Sequence, residues 1–298
     1  MKKLLMLGEC MVEMAAADGG LYRQGFAGDV YNTAVYLKRS LNTPAQVGLL
    51  TAVGDDAMSE AMLACFRAEG LDNRHCYQLP GAMPGLYLIE VDEAGERNFL
   101  YWRSQAAARQ LVRCIEEDNG AAFSGTDLLL FSGISLAILS AEHRALLLER
   151  LKALRAQGAT LVFDPNYRAK LWGKDEAAHW LAQAYGCADI ALPGLEEHQL
   201  LWGQQSPEQA ADFLTGLGVK ELVIKQGPEQ LFVNGQYLAV TPAEQVVDTT
   251  AAGDSFNGGY LAARLDGQSP LEAAKQGAAL ARRVIGYRGA IIDKNQWA

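Results

Sequence analysis

Asp248-Thr249-Thr250-Ala251-Ala252-Gly253-Asp254-Ser255-Phe256 places a carboxylate directly after three small residues. The run lies between a strand-like segment at 237–240 and an apolar stretch of helical spacing at 256–265. Small residues let a backbone come close to a ligand, and the first turn of the following helix offers unpaired N–H groups and a positive dipole end. Ala251, Ala252 and Gly253 would then line an anion hole with Asp254 at its lip. An anion hole beside a general base suits transfer of a phosphoryl group onto a hydroxyl. The same residues also read as an ordinary loop with Asp254 capping a helix, so the rest of the chain has to decide.

Other groups carry compatible chemistry. Gly28-Asp29-Val30-Tyr31-Asn32 opens a helical stretch. A glycine there lets backbone N–H groups meet a substrate, and Asn32 offers both donor and acceptor; a plain Gly-Asp cap is the alternative. Asp164-Pro165-Asn166-Tyr167-Arg168 ends an apolar strand. Ligands of open α/β sheets gather at the carboxyl ends of strands. Pro165 pulls the chain out of the sheet, and Arg168 offers a planar fork for a carboxylate or phosphate, unless it is a salt-bridged surface side chain. Lys225-Gln226-Gly227 closes another strand, and Glu196 in Pro193-Gly194-Leu195-Glu196-Glu197 is either a helix-start acid or a carboxylate near a cation.

The elements that must position these residues follow from hydrophobic spacing. Short apolar runs at 4–8, 45–50, 127–131, 160–163, 190–192 and 221–224 read as strands. Helical stretches lie near 30–41, 57–69, 140–157, 175–185, 207–217, 255–265 and 270–285. Strands apolar on both faces, alternating with helices, predict an α/β fold: a doubly wound, mainly parallel sheet covered on both sides. No linker, repeat or low-complexity tract divides the chain, so 1–298 is expected to be a single domain. Two segments, 10–26 and 85–103, break the alternation. The second reads as a hairpin around Glu93-Ala94-Gly95, a three-residue loop that pairs Asp92 with Glu96 and hence Tyr87 with Tyr101. With period-two alternation, Tyr87, Tyr101 and Arg103 share a face that could cover a polyhydroxylated anion; an ordinary solvated sheet is the alternative.

Composition narrows the class. The 298 residues are 50% hydrophobic and 20% charged, with a net charge of −9 and no long basic run, which argues against nucleic acid as a partner. No apolar stretch approaches a membrane span, and Gly8-Glu9 interrupts the apolar start too early for a signal peptide. Five scattered cysteines without a C-x-x-C pair suit free thiols in a reducing cytoplasm. The four histidines stand apart, as surface or helix residues. Leu7-Gly8-Glu9-Cys10 lacks the G-x-G-x-x-G of a dinucleotide-binding dehydrogenase, and no Walker-type phosphate loop occurs.

The 248–256 run resembles the D-T-x-G-A-G-D-x-F signature of the PfkB/ribokinase family of sugar kinases, with Ala251 where that pattern has Gly. Gly28 and Asn32 resemble its first signature, with Ala27 replacing one glycine of a pair. Lys225-Gln226-Gly227 is similar to its K-x-G-x-x-G segment, with Gln230 at the last glycine, and 193–196 to its N-x-x-E, with Pro193 for Asn. Tyr87, Tyr101-Trp102-Arg103 and Arg168 are similar to the branch acting on 2-dehydro-3-deoxy-D-gluconate. The resemblance implies a ribokinase-like fold with a small β-sheet lid from about 10–26 and 85–103. It implies ATP-dependent phosphorylation of that sugar acid at its terminal hydroxyl, with Asp254 as catalytic base. Gly28, Asn32, Tyr87, Tyr101, Arg103, Arg168 and Asp254 would hold the sugar acid. Asn166, Arg168, Lys225, Gly227, Ala251, Ala252 and Gly253 would hold ATP. Mg²⁺ would bind near Glu196 through water, a monovalent cation near Asp248, Thr250 and 288–290, and homo-oligomers would form through the lid. A neutral-sugar kinase, such as a fructokinase, is the alternative, but it gives no reason to desolvate two guanidiniums in one pocket.

Overall fold

The computed structural model describes residues 1–91 and 97–297. Nine strands form the large sheet: β1 (Lys2–Leu7), β4 (Ala45–Gly54), β5 (Cys76–Leu79), β8 (Leu128–Ser132), β9 (Thr160–Asp164), β10 (Ile190–Ala191), β11 (Glu221–Gln226), β12 (Gln230–Val233) and β13 (Gln236–Ala239). Their order is β13-β12-β11-β10-β9-β8-β1-β4-β5. From β5 to β11 every pairing is parallel, and β12 and β13 extend the edge as antiparallel hairpins.

Alternation along β1 shows why the sheet is buried on both faces. Leu5 and Leu7 enter one core with Leu129, Phe131, Leu161 and Phe163, whereas Leu4 and Met6 enter the other with Val47, Leu49 and Leu130. The first core is closed by α3 (Leu111–Glu117), α4 (Gly133–Ala137), α5 (Ala141–Ala156), α6 (Lys174–Cys187), α7 (Leu195–Trp202) and α8 (Pro207–Gly216). The second is closed by α1 (Asp29–Ser40), α2 (Ala57–Ala68), α9 (Ala252–Leu265) and α10 (Pro270–Val284); a last turn, α11 (Lys294–Trp297), follows the chain's tail. The doubly wound fold read from the sequence is therefore present. The elements missing from that reading are short ones, such as α3, α4, α7 and β5, whose few residues give periodicity little to act on.

The two segments that broke the alternation form one small sheet, in the order β3-β2-β6-β7, from β2 (Met11–Ala16), β3 (Tyr22–Ala27), β6 (Leu86–Val91) and β7 (Arg97–Trp102). Tyr87 lies opposite Tyr101, in the expected register. The turn Glu93-Ala94-Gly95 that was expected to set this register, with its Asp92–Glu96 pair, lies outside the described residues. The five cysteines are free. His198 is neither exposed nor available: it is fully buried between Tyr185 and Gln204, and burial lowers its pKa to about 4.

Candidate active site

The carboxyl ends of β9 and β11 and the N-termini of α7 and α9 open onto one cleft of about 620 Å³. Asn166, Arg168, Glu196, Lys225, Gly227, Ala252, Gly253 and Asp254, collected from four separated stretches of chain, all line it.

Asp254 sits in the first turn of α9, where a carboxylate complements the dipole. It does not cap its helix. Its Oδ2 accepts from Asn32 Nδ2 at 2.8 Å, and its backbone carbonyl accepts from Thr33 Oγ1 at 3.3 Å, so α1 holds it from the side. Burial, then the neighbouring Asp29 and Asp164 carboxylates, push its pKa up to about 8, against the opposing effects of Asn32 and Arg168. The amides around it are not equivalent. Ser255 N–H makes the first helical bond, to Ala251, and Ala252 N–H donates to Thr249 at 3.2 Å. Helix geometry leaves the N–H groups of Gly253 and Asp254 without a helical acceptor. The anion cradle is thus narrower than residues 251–254: Ala251 is buried beneath it and does not line the cleft. Ala251 has φ −117°, so a side chain where the signature has glycine brings no backbone strain.

Asp164, buried at the end of β9, accepts from Asn257 Nδ2 at 2.5 Å, from Asn166 N–H at 3.2 Å and from Lys225 Nζ at 3.4 Å. Asn166 has φ +34°, in the left-handed region that asparagine tolerates, and its Nδ2 donates to Asp29 Oδ2 at 2.9 Å. Lys225 precedes Gly227, whose φ of +66° turns β11 sharply into β12 along the cleft wall. Arg168 is exposed at the rim and has no ion-pair partner among the described residues, which removes the surface salt bridge as its explanation.

Glu196 lines the cleft but faces solvent. The acid at the base of the site is Glu197, which the sequence reading passed over. It accepts from Gly194 N–H at 2.8 Å and from Tyr167 N–H at 2.6 Å, and burial together with Asp164 raises its pKa to about 6. Spacing contained the clue: Glu three residues after the helix N-cap is the reciprocal half of a capping box, which turns that side chain back toward the strand ends. Also missed was the apolar half of the cleft, where Leu231, Val240, Ala243, Ala278, Ala281 and Ile285 converge.

The remaining expected residues are not among those that line the cleft, although Asn32 reaches it through its bond to Asp254. Gly28 is the N-cap of α1, and a Cβ there would stand 2.4 Å from the Glu9 carbonyl, so the close approach read for it is real, though its partner is the protein's own backbone. Tyr87, Tyr101 and Arg103 share one face of the small sheet; the tyrosine rings are 6.0 Å apart, and the Arg103 guanidinium lies 5.9 Å from the Tyr101 ring. Tyr87 packs in one apolar cluster with Ala251, which ties this face to the loop before α9. Two features differ from expectation. Arg103 is buried and salt-bridged to Glu9 through a terminal nitrogen while its Nε has no hydrogen-bond partner among the described residues, and Tyr87 donates its hydroxyl to Glu13. Neither acid could be matched to its partner from local pattern, since both pairs join segments distant in sequence.

Comparison with known proteins agrees with this arrangement. The chain is 43% identical to the 2-dehydro-3-deoxygluconokinase of Escherichia coli K12, over 98% of each chain. Its fold is similar to that of the 2-dehydro-3-deoxygluconokinase of Thermotoga maritima, with TM-score 0.86 and 20% identity over 98% of this chain and 96% of that one. It is also similar to a fructokinase double mutant of Vibrio cholerae O395 in its fructose-, ADP- and potassium-bound form, with TM-score 0.82 and 24% identity over 97% and 94%. Residues 1–297 match the family described as pfkB family carbohydrate kinase, and the chain belongs to that family.

Proposed function

We propose that the protein transfers the γ-phosphoryl group of ATP to the terminal hydroxyl of 2-dehydro-3-deoxy-D-gluconate. The observation that carries this reading is a buried carboxylate, Asp254, at a helix N-terminus in a cleft whose rim holds a guanidinium, Arg168, with no ion-pair partner among the described residues. Asp254, with its pKa raised to about 8, is basic enough to take the hydroxyl proton as that oxygen attacks phosphorus, and Asn32 aims it. The Gly253 and Asp254 amides and Lys225 face the charge that develops on the transferred group. The apolar half of the cleft takes the adenine, and Arg168 forks the substrate carboxylate. A neutral sugar would leave that guanidinium unused, so the fructokinase alternative is not favoured.

The acids also fit Mg²⁺ brought by ATP. Among the described residues no cluster of three ligating side chains forms a cage, yet Asp254 and Glu197 are buried and both face Asp164, and burial with that neighbour raises both pKa values. Magnesium keeps most of its waters and takes few protein carboxylates, so Asp164, Glu197 and Glu196 at the rim would hold it with the phosphates. When bound it supplies charge neutralisation across the phosphate oxygens. Asp248, which accepts N–H bonds from Thr250 at 3.0 Å and Gly289 at 2.7 Å, draws together the two stretches expected to hold a monovalent cation; potassium stimulation of turnover tests that site.

The whole chain acts as one domain in this reading, with the small sheet as a lid. Its outer face exposes Leu100 and Trp102 beside the partly buried Leu86 and Leu88, an apolar surface suited to the same face of a second copy. No helix among the described residues is long and apolar enough to cross a membrane, and we place the enzyme in the cytoplasm. Incubation with ATP-Mg²⁺ and a panel of sugar acids and neutral sugars tests the reaction. The expected product is the keto acid phosphorylated on its terminal carbon; product from neutral sugars alone would defeat the proposal.

A further inference from the structure

Asn257 is buried on α9, one turn beyond the Gly253 and Asp254 amides, and the reaction outlined above gives it nothing to do. Its Nδ2 donates to Asp164 Oδ2 at 2.5 Å, while its Oδ1 accepts from Lys225 Nζ at 3.4 Å. Lys225 Nζ is also 3.4 Å from Asp164 Oδ2, so side chains from α9, β9 and β11 close a triangle under the cleft. The amide is placed so that its donor half meets the acid and its acceptor half meets the base; the opposite orientation would satisfy neither. A Cβ placed on Gly253 would sit 3.9 Å from Lys225 Nζ, which puts the ammonium beside the amide cradle. A lysine is a point charge on a flexible stem, and with Asp164 as its sole partner it would collapse onto that carboxylate.

We propose that Asn257 is a positioning residue, holding Lys225 beside the Gly253–Asp254 amides and keeping Asp164 engaged. This rests on the phosphoryl-transfer reading. The ammonium then meets the transferred group without first leaving a tight ion pair. The groups acting on Asp254 are Asp29 and Asn32 from α1, Asp164 from β9 and Arg168 just after it. Asp164 is therefore the one acid shared by the base and the lysine, and Asn257 is the side chain that donates to it from the base's own helix.

Steady-state kinetics of Asn257→Ala and Asn257→Asp test this. In Asn257→Ala, KM for ATP should rise about tenfold and kcat should fall, while KM for the sugar acid stays within about twofold. Asn257→Asp preserves size but adds a carboxylate beside Asp164 and one turn from Asp254. It should move the acid limb of the pH–kcat/KM profile upward by about half a unit or more. A variant that loses thermal stability with both KM values and the limb unchanged, or with both KM values raised equally, would overturn the inference. Should Asn257→Ala fail to fold, Asn257→Ser decides by the same comparison, and an unchanged KM for ATP overturns the inference. Wild-type turnover of the keto acid is measured first. Its absence sinks the substrate reading, whereas the Asn257 comparison is read on whichever sugar wild type phosphorylates.

Discussion

The cleft at the strand ends and the inner face of the small sheet both gather acids, bases and tyrosines, yet they balance their charges in opposite ways. Against the small sheet the buried acids are paired: Glu9 with Arg103, and Glu13 with the Tyr87 hydroxyl. In the cleft the books stay open. Asp254 and Glu197 have raised pKa values because they are buried and, beyond that, because other acids face them, and Arg168 has no ion-pair partner among the described residues. Closed pairs hold a shape in the absence of ligand; open charges wait for the phosphates, cation and carboxylate that complete them. The two regions should therefore respond differently to mutation, the cleft through turnover and the sheet through stability.

The largest effect is expected at the base. Asp254→Asn should keep the fold and ATP binding but lower kcat by about 10² to 10⁴-fold, the usual contribution of general-base assistance. Single-turnover measurement of phosphorylated sugar checks it, and retention of more than about a tenth of wild-type kcat would remove Asp254 from that role.

Next comes the closed pair. Glu9→Gln strands the Arg103 guanidinium in a buried site and should cost about 3–5 kcal/mol, read as a Tm roughly 10 °C lower by calorimetry. An unchanged Tm would make the sheet's pairing irrelevant to stability and erase the contrast with the cleft.

The open guanidinium should behave in the reverse manner. Arg168→Ala should cost about 2–5 kcal/mol in kcat/KM for the keto acid, and Arg168→Lys less, because lysine keeps the charge but loses the fork. Tm should hardly move, since Arg168 is exposed and has no ion pair among the described residues to lose. A large Tm loss with kinetics intact would contradict the assignment.

The smallest effect is a pH dependence of stability. Asp254 binds its proton more tightly in the folded protein than in the unfolded chain, with a pKa near 8 instead of the ordinary carboxylate range. Its favourable contribution is complete below about pH 4 and is lost as pH rises through about 8. Asp254→Asn removes that loss, so the Tm advantage of the variant should widen from pH 5 to pH 9, by a few degrees on the order of 2–4 °C per kcal/mol. A constant difference across that range would show that burial does not raise this pKa.

How much of this was legible in the sequence follows the reach of each signal. β1, β4, β8 and β9 were visible because strands buried on both faces must be apolar throughout. The Tyr87–Tyr101 register followed from loop length and period two, without any knowledge of the core. Asp254, Arg168 and Lys225 stood out because a helix mouth and two strand ends are local motifs. Glu9 did not, because what makes it matter is Arg103, 94 residues away. Asn257 escaped for the same reason, meeting Asp164 across 93 residues. With Glu196 and Glu197 the ambiguity was angular: adjacent acids on a helix point about 100° apart, and the turn back to Gly194 N–H selects the second.

The most direct test of the central claim compares kcat/KM for 2-dehydro-3-deoxy-D-gluconate with that for a neutral ketose of similar length, in wild type and in Arg168→Ala. The open cleft charges predict a wild-type preference for the acid of at least about 30-fold, matching the lower bound of a lost charge-assisted pair, and its collapse in the variant. Equal efficiency of the two sugars in wild type, or a preference untouched by the substitution, would contradict it.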